Sequence, residues 1–281
     1  MGVSWLSQGE ADLPHADDWL TARERERAAA MRYAKRRNDF LLARWTAKVA
    51  VARWMSLASD VASLAQVEIR NATDGAPHVL VRGQPAPLEI AMTDRAGWAV
   101  CALHAPGTRI GCDLELVEPR SDAFIADYFT AAEQATIVAA TTDSGRHLLA
   151  NLLWCAKESA LKVLRTGLRR DTRSVEVRLE PTPPADGWRR LLVEAEEGPR
   201  FPGWWRQYGV FLLTVAAQTD TPPPVSIVHP PGLAHAAPTH SWLAAPLLAA
   251  APLAAPPLAA ARRETDGRPR HRTSHGTTPD E

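Results

Sequence analysis

The chain has little cysteine: among its 281 residues only Cys101, Cys112 and Cys155 occur. They form no CxxC pair and match no zinc spacing, which argues for a reduced, cytoplasmic protein. It also lacks an excess of either charge. Lys+Arg and Asp+Glu both number 32, for a formal net charge of zero. Nothing global therefore marks a nucleic-acid or membrane binder, and any anion site has to be local. The opening stretch "MGVSWLSQGEADLPHADDWL" has neither a basic nor an apolar segment of the secretory kind, so it does not read as a signal. One long uncharged run exists, from Leu243 to Ala261, and it reaches the length of a spanning helix. Pro246, Pro252, Pro256 and Pro257 interrupt it, and alanine is weakly apolar, so a disordered or extended tail is expected there instead.

At 46% hydrophobic content, the chain can build one large domain or two small ones. Composition shifts near Thr221. Residues 222–281 hold more than half of the 23 prolines and are expected to form a Pro/Ala-rich low-complexity tail, with His229, His235, His240, His271 and His275 solvated. Before it, helices are expected over about Thr21–Met31 and Arg37–Leu57, with Trp45 and Trp54 in the core. A Gly/Pro loop at Asp74–Pro77 precedes the strand-like runs "PLEIAMT", "GWAVCAL" and "RIGCDLEL". "DAFIADYFTAAEQATIVAA" reads as helix. "RHLLANLLWCAKESALKVLR" reads as a long helix, with Gly167 expected at the position that ends it. "TRSVEVRLE", "WRRLLVEAE" and "YGVFLLTVAA" then read as strands. Helices followed by three strands thus occur twice. The pattern predicts an α+β fold of two similar halves in a pseudo-twofold arrangement, residues 1–116 and 117–221, with mostly antiparallel sheets.

Two short stretches carry chemistry. In "IGCDLELVEP", Asp113 and Glu115 are two apart, so on a strand both point to one face while Cys112, Leu114 and Leu116 point to the other. Two like charges on one face repel unless a cation sits between them. A hard divalent ion is one answer and a solvated strand face the other. In "WCAKESALK", Glu158 and Lys162 are i and i+4 and share a helix face; alone, they would read as a surface ion pair.

Together, "IGCDLE" followed by "WCAKESALK" resembles the signature of the 4′-phosphopantetheinyl transferases, a G-[IVC]-D-x-E strand ahead of a [FW]-x-x-K-E-x-x-x-K helix. The resemblance spans about residues 15–218, and the two-half layout is similar to the long, single-chain, Sfp-like class. It implies transfer of the phosphopantetheine arm of coenzyme A to a serine of an apo carrier protein, acyl or peptidyl, of fatty-acid, polyketide or nonribosomal peptide synthesis, releasing 3′,5′-ADP. It implies Mg²⁺ held by Asp113, Glu115 and Glu158, with Glu158 as the proton acceptor and Lys162 on the leaving phosphate. It implies a monomer, since the long class completes its site in one chain. Lys157 ranks below Lys162 as a phosphate contact, and Trp154 is expected to pack.

Softer marks accompany the signature. Lys35 and Arg44 in "YAKRRNDFLLAR" match the family's early basic segment and imply contacts to the nucleotide 3′-phosphate. "YFTAAEQ" matches F-[ST]-x-x-E, where Thr130 with Glu133 also reads as a capping box. Ile137 and Val138 read equally as a carrier contact or as core. Two positions depart from the pattern. Ala76 replaces a basic residue in a G-[KR]-P turn. In "AMTDRAGW", Thr93 and Arg95 flank Asp94, which stands where the family has a phosphate-holding histidine. A carboxylate there repels phosphate, and Arg95 is the candidate to compensate. Two readings stay open: an active Mg²⁺-dependent transferase, or a catalytically degenerate member that binds carrier protein or coenzyme A without transfer.

Overall fold

The computed structural model describes residues 2–181 and 183–239. β1 (Ser4–Gly9) leads into α1 (Ala22–Ala29), α2 (Ala34–Trp54) and the single turn α3 (Val61–Leu64). Next come β2 (Val67–Asn71), β3 (Pro77–Val81), β4 (Gln84–Pro85), β5 (Glu89–Arg95), β6 (Trp98–His104) and β7 (Ile110–Leu116). Three helices follow: α4 (Asp122–Tyr128), α5 (Ala131–Val138) and α6 (Asp143–Leu164). The chain closes with β8 (Val175–Leu179), β9 (Arg189–Ala195), β10 (Arg200–Tyr208), β11 (Phe211–Ala217) and the short β12 (Val225–Ser226).

These strands form two main sheets, ordered β12-β1-β6-β5 and β7-β11-β10-β9-β8, and a small β2-β3-β4 sheet. Every pairing is antiparallel except β12 with β1. The expected α+β class with mostly antiparallel sheets is the observed one.

The alternation along the central strands explains the layering. On β6, Cys101 and Leu103 pack with Ala47 and Val51 of α2, while Val100 and Ala102 face the other main sheet. On β11, Leu212 and Ala216 pack under α6, while Leu213 and Val215 meet the first sheet. The result is helix, sheet, sheet, helix, with an apolar layer at each junction.

Each half is pinned by the same device. Thr21 caps α1 and its capping-box partner Glu24 reaches Lys48 Nζ of α2 at 2.6 Å. Thr130 caps α5, and Glu133 reaches Lys157 Nζ of α6 at 2.7 Å. Both lysines are fully buried and also donate to backbone carbonyls: Lys48 to Trp19 and Leu64, Lys157 to Thr172 and Val175. Each glutamate accepts from a strand amide, that of Ile69 or of Val177. The equal spacing of threonine, glutamate and lysine in the two sets is consistent with two similar halves.

Several expectations need correction. The boundary expected after Leu116 does not follow sheet membership, because β7 pairs with β11 and belongs to the second main sheet. The single helix expected over "DAFIADYFTAAEQATIVAA" is two, since extended Phe129 and the Thr130 cap break it. Gly167 does not end α6. Arg165 does, at φ 59° and ψ 26°, with Arg165 N donating to Lys162 O and Thr166 N to Leu161 O, the paired bonds of a Schellman terminus. Residues 222–239, expected as the start of the tail, are packed against the first sheet instead. Val225 N and Ile227 N donate to Val3 O and Trp5 O, and Leu233 is fully buried with its amide on Ser7 Oγ. His229 and His235 are exposed, as expected. The remainder of the expected tail, including Leu243–Ala261 and the other three histidines, lies outside the described residues. No helix among the described residues is long and apolar enough to cross a membrane.

Candidate active site

The site is built where α6 lies across β7. Ile110, Cys112, Leu114 and Leu116 face the layer between the sheets, so Gly111, Asp113 and Glu115 face α6. A Cβ on Gly111 would stand 2.0 Å from the Ser159 carbonyl, so only glycine lets the helix approach this closely. Ser159 fixes the rotation of the helix: its hydroxyl is 2.7 Å from Thr214 Oγ1 on β11. Glu158 and Lys162 are thereby turned towards the β7 carboxylates.

Asp113 is buried and accepts two bonds at Oδ1, from Thr93 Oγ1 at 3.0 Å and from Lys162 Nζ at 2.8 Å. Lys162 also donates to Cys112 O at 2.8 Å. Burial alone would depress the Lys162 ammonium, but Asp113, Cys112 and Glu158 together raise it above the ordinary lysine range, so it remains a cation. Burial first, then Asp113 and Glu115, together push the Glu158 carboxyl up to about 7 against the opposing charge of Lys162. Burial also raises Glu115, reinforced by Asp113 and opposed by Arg95 and Arg120.

Glu115 is held rather than free. Arg95 Nε stands 3.2 Å from it and an Arg120 amine 3.3 Å. Both guanidiniums also pair with Glu118, and Arg120 is anchored by Asn151 Oδ1 at 2.6 Å. Sequence reasoning did not find Arg120, Glu118 or Asn151. They are contributed by the β7–α4 loop and the middle of α6, and no local pattern announces that they meet.

A cavity of about 890 Å³ opens beside this cluster. Thr93 and Lys162, both bonded to Asp113, are among its lining residues, and so are Arg27, Arg36, Arg44, Arg109, Arg165 and Arg169. Asp39, Asp74, Glu89 and Asp94 are the lining acids, fewer than the cations. Burial raises the Asp94 carboxyl to about 6, with Asp39 adding to the effect and Lys162 and Lys35 opposing it.

The structure brings Asp113, Glu115, Glu158, Lys162 and Thr93 together. It does not place Lys35 on the cavity wall; Lys35 Nζ meets Asp39 at 2.8 Å on the same helix. Arg44 lines the cavity but lies over the Phe40 ring at 4.7 Å and donates to Asn71 Oδ1. Arg95 is turned to Glu115 and Glu118 and is not a lining residue, so it does not compensate for Asp94 in this arrangement. Lys157 is a buried clamp, not a phosphate contact. Trp154 packs edge-on against Phe124 and Tyr128, as expected. Ile137 is core, whereas Val138 is exposed.

Among the described residues, no three His, Cys, Asp or Glu side chains converge as a ready metal cage. Mg²⁺ does not require one, because it is commonly held by one or two carboxylates with substrate phosphates and water. The donor set fits such an ion: hard carboxylate oxygens on Asp113, Glu115 and Glu158, the last raised by burial first and then by Asp113 and Glu115, a crowding of like charge that a cation relieves.

Comparison with known proteins adds the following. No curated protein matches the chain. A holo-(acyl-carrier-protein) synthase from Bacillus anthracis str. Ames, solved in complex with CoA (3′,5′-ADP), is similar at 18% identity, over 36% of this chain and 92% of that one, with a TM-score of 0.31. Residues 109–188 match the family model of the 4′-phosphopantetheinyl transferase superfamily. That segment contains β7 and α6, and so the part of the chain similar to this family is the part that carries Asp113, Glu115, Glu158 and Lys162.

Proposed function

We propose that the protein transfers the 4′-phosphopantetheine arm of coenzyme A to a serine of an apo carrier protein, and that it acts as a single chain. The observation that carries this reading is the seat of α6 on Gly111, which sets Lys162 and Glu158 against Asp113 beside a cation-lined cavity. The family match over residues 109–188 supports it.

In the reaction, the serine oxygen bonds to the β-phosphate of the coenzyme A pyrophosphate. The bond from that phosphorus to the oxygen bridging to the α-phosphate breaks, and 3′,5′-ADP leaves. Such transfers need positioning and charge neutralisation more than covalent help. Lys162, kept cationic by Asp113, meets the leaving phosphate. Glu158 takes the serine proton; a carboxyl poised near neutrality suits a general base. Asp113 and Glu158, with Glu115, would hold Mg²⁺, which supplies neutralisation of the pyrophosphate charge. Arg95 and Arg120 fix the Glu115 carboxylate in place.

A second reading is favoured by one observation: Asp94 puts a carboxylate on the cavity wall, where it opposes an anionic ligand. Under it, the protein binds carrier or coenzyme A without transfer. Intact mass of an apo carrier incubated with the protein, coenzyme A and Mg²⁺ decides between them. A gain of one phosphopantetheine arm, lost with EDTA and in Glu158→Ala, is the expected result. Binding of coenzyme A by calorimetry with no mass gain on any carrier would establish the second reading instead.

A further inference from the structure

Two arginines and two glutamates form a largely buried quartet at the acidic end of the site. Arg95 Nε stands 3.2 Å from Glu115 Oε2, and an Arg120 amine donates to the same oxygen at 3.3 Å. Both guanidiniums also meet Glu118 at Oε1. Two cations against two anions make the quartet formally neutral, so it holds Glu115 without adding net charge beside the other carboxylates. Glu115 Oε1 receives no hydrogen bond among the described residues. Asp113 is divided in the same way: its bonds from Thr93 and Lys162 both fall on Oδ1 and leave Oδ2.

Arg120 is the directed member of the arginine pair. The Arg95 Nε–H, although near Glu115, makes no hydrogen bond. Arg120 bonds Glu115 while held on three other sides. Its Nε donates to Asn151 Oδ1 at 2.6 Å, its guanidinium lies 4.7 Å from the centre of the Phe124 ring, and its backbone N–H donates to His147 Nδ1 at 3.4 Å. Asn151 is fully buried, and its amide donates to Glu118 O and to His147 O at 2.7 Å each. One asparagine in the middle of α6 thus locks both the arginine and the backbone that carries Glu118. A planar fork seated in this way fixes the carboxylate it bonds.

A carboxylate with one oxygen engaged offers a cation only the other. Mg²⁺ suits that arrangement, since it takes about six oxygens at roughly 2.1 Å in a near-octahedral array. Ca²⁺ takes about six to eight at longer distance, and often both oxygens of one carboxylate. Holding Glu115 Oε2 on Arg120 therefore removes a binding mode that the larger ion uses and the smaller does not need.

We infer that Arg120, seated on Asn151 and balanced by Glu118, is a positioning residue that presents Glu115 to the divalent ion through Oε1 alone, and that it thereby makes the site select Mg²⁺ over Ca²⁺. This rests on the proposed function, which puts Mg²⁺ on Asp113, Glu158 and Glu115.

Thermal unfolding of the full chain at pH 8, titrated with Mg²⁺ or with Ca²⁺ in the presence and absence of coenzyme A, gives an apparent affinity for each ion. The unsubstituted protein is expected to bind Mg²⁺ more tightly than Ca²⁺. Arg120→Ala should weaken Mg²⁺ roughly tenfold or more, the usual effect of losing a group that orients a metal ligand, and Ca²⁺ by less than about threefold. The sign is diagnostic. Were Arg120 only a nearby positive charge, its removal would tighten both ions. Were it only a prop for the fold, the metal-free unfolding temperature would fall and both affinities would stay. Arg120→Lys keeps the charge without the fork and should show the same selective loss, which serves if the alanine variant misfolds. In a Glu115→Gln background, Arg120→Ala should move neither affinity by more than about twofold, because it acts through Glu115. Tighter binding of both ions, an unchanged preference, or an undiminished effect in that background would overturn the inference and leave the transferase reading standing. Binding of neither ion by the unsubstituted protein, with coenzyme A present, would remove the metal from that reading, and this inference with it.

Discussion

Asp94 and Glu158 are carboxyls lifted towards neutrality, and each gives a pH signature of opposite use. Asp94, raised to about 6, is ionised at pH 8 and repels an anionic ligand there. Coenzyme A affinity is expected to rise as pH falls through 6, and Asp94→Asn should remove that dependence. At pH 8 the variant should bind about three- to tenfold more tightly, the equivalent of roughly 1 kcal/mol of relieved repulsion. Titration calorimetry at pH 5.5 and 8 measures both, and an unchanged affinity at pH 8 would show that Asp94 does not meet the ligand. Glu158, raised from its usual range to about 7, favours the protonated form in the fold. Its ionisation therefore costs stability: the cost is absent below about pH 4.5 and complete above pH 7. Glu158→Gln should be stabilised by about 1–3 kcal/mol at pH 8 and by nothing near pH 4.5, while abolishing transfer. Mg²⁺ should raise the unfolding temperature of the unsubstituted protein at pH 8 and leave the glutamine variant unmoved, which separates a metal ligand from a merely buried acid.

The elements explain which of these roles could be read in advance. Periodicity placed Asp113 with Glu115 on one strand face and Glu158 with Lys162 on one helix face, and the observed faces of β7 and α6 are the expected ones; their roles in a shared site were what the family resemblance implied. Lys157 was not placed, since its neighbours in sequence say nothing of Glu133, which a helix break at Phe129 delivers from α5. β1, β2, β3, β4, β10 and β12 also escaped. β2 and β3 flank a turn at Gly75 and form a hairpin whose alternation, Val67 and Ile69 against Val79 and Val81, is short. β10 contains Pro202 and Gly203, ordinarily breakers, yet a Cβ on Gly203 would stand 2.5 Å from Val215 O, so the glycine serves close strand approach. β1 is brief and gains its partners from β6 and β12, far along the chain. The clamps make a sharp prediction at this scale. Lys157→Met should destabilise by about 3–5 kcal/mol, because it strands a buried carboxylate, and Glu133→Gln should cost comparably. Replacing both by apolar residues should recover much of the loss, and denaturant unfolding of the three variants measures the coupling. Lys48 and Glu24 should behave alike, since their contacts repeat the same arrangement.

At the scale of the whole molecule, the two sheets are one unit rather than two independent domains. Trp5, Val100 and Ala102 of one sheet share an apolar layer with Leu114, Leu213 and Val215 of the other. Residues 222–239 extend that unit. They add β12 beside β1, bury Leu233, and return to the β5–β6 turn, where Thr239 N donates to Ala96 O at 3.0 Å and Ala237 O accepts from Trp98 Nε1. A Cβ on Gly97 in that turn would lie 2.0 Å from Thr239 Oγ1, so the turn and the returning segment are fitted to each other. Because β5 carries Thr93, Asp94 and Arg95 into the turn, this segment supports the wall of the site from behind. A chain ending at Thr221 should therefore be less stable than one ending at Thr239. Exposing Leu233 and the β1 edge should cost about 3–5 kcal/mol, a drop of roughly 6–20 °C in unfolding temperature for a protein of this size. Coenzyme A affinity should fall with it, as the β5–β6 turn loosens. Equal unfolding temperatures for the two truncations would show that residues 222–239 rest on the first sheet without holding it.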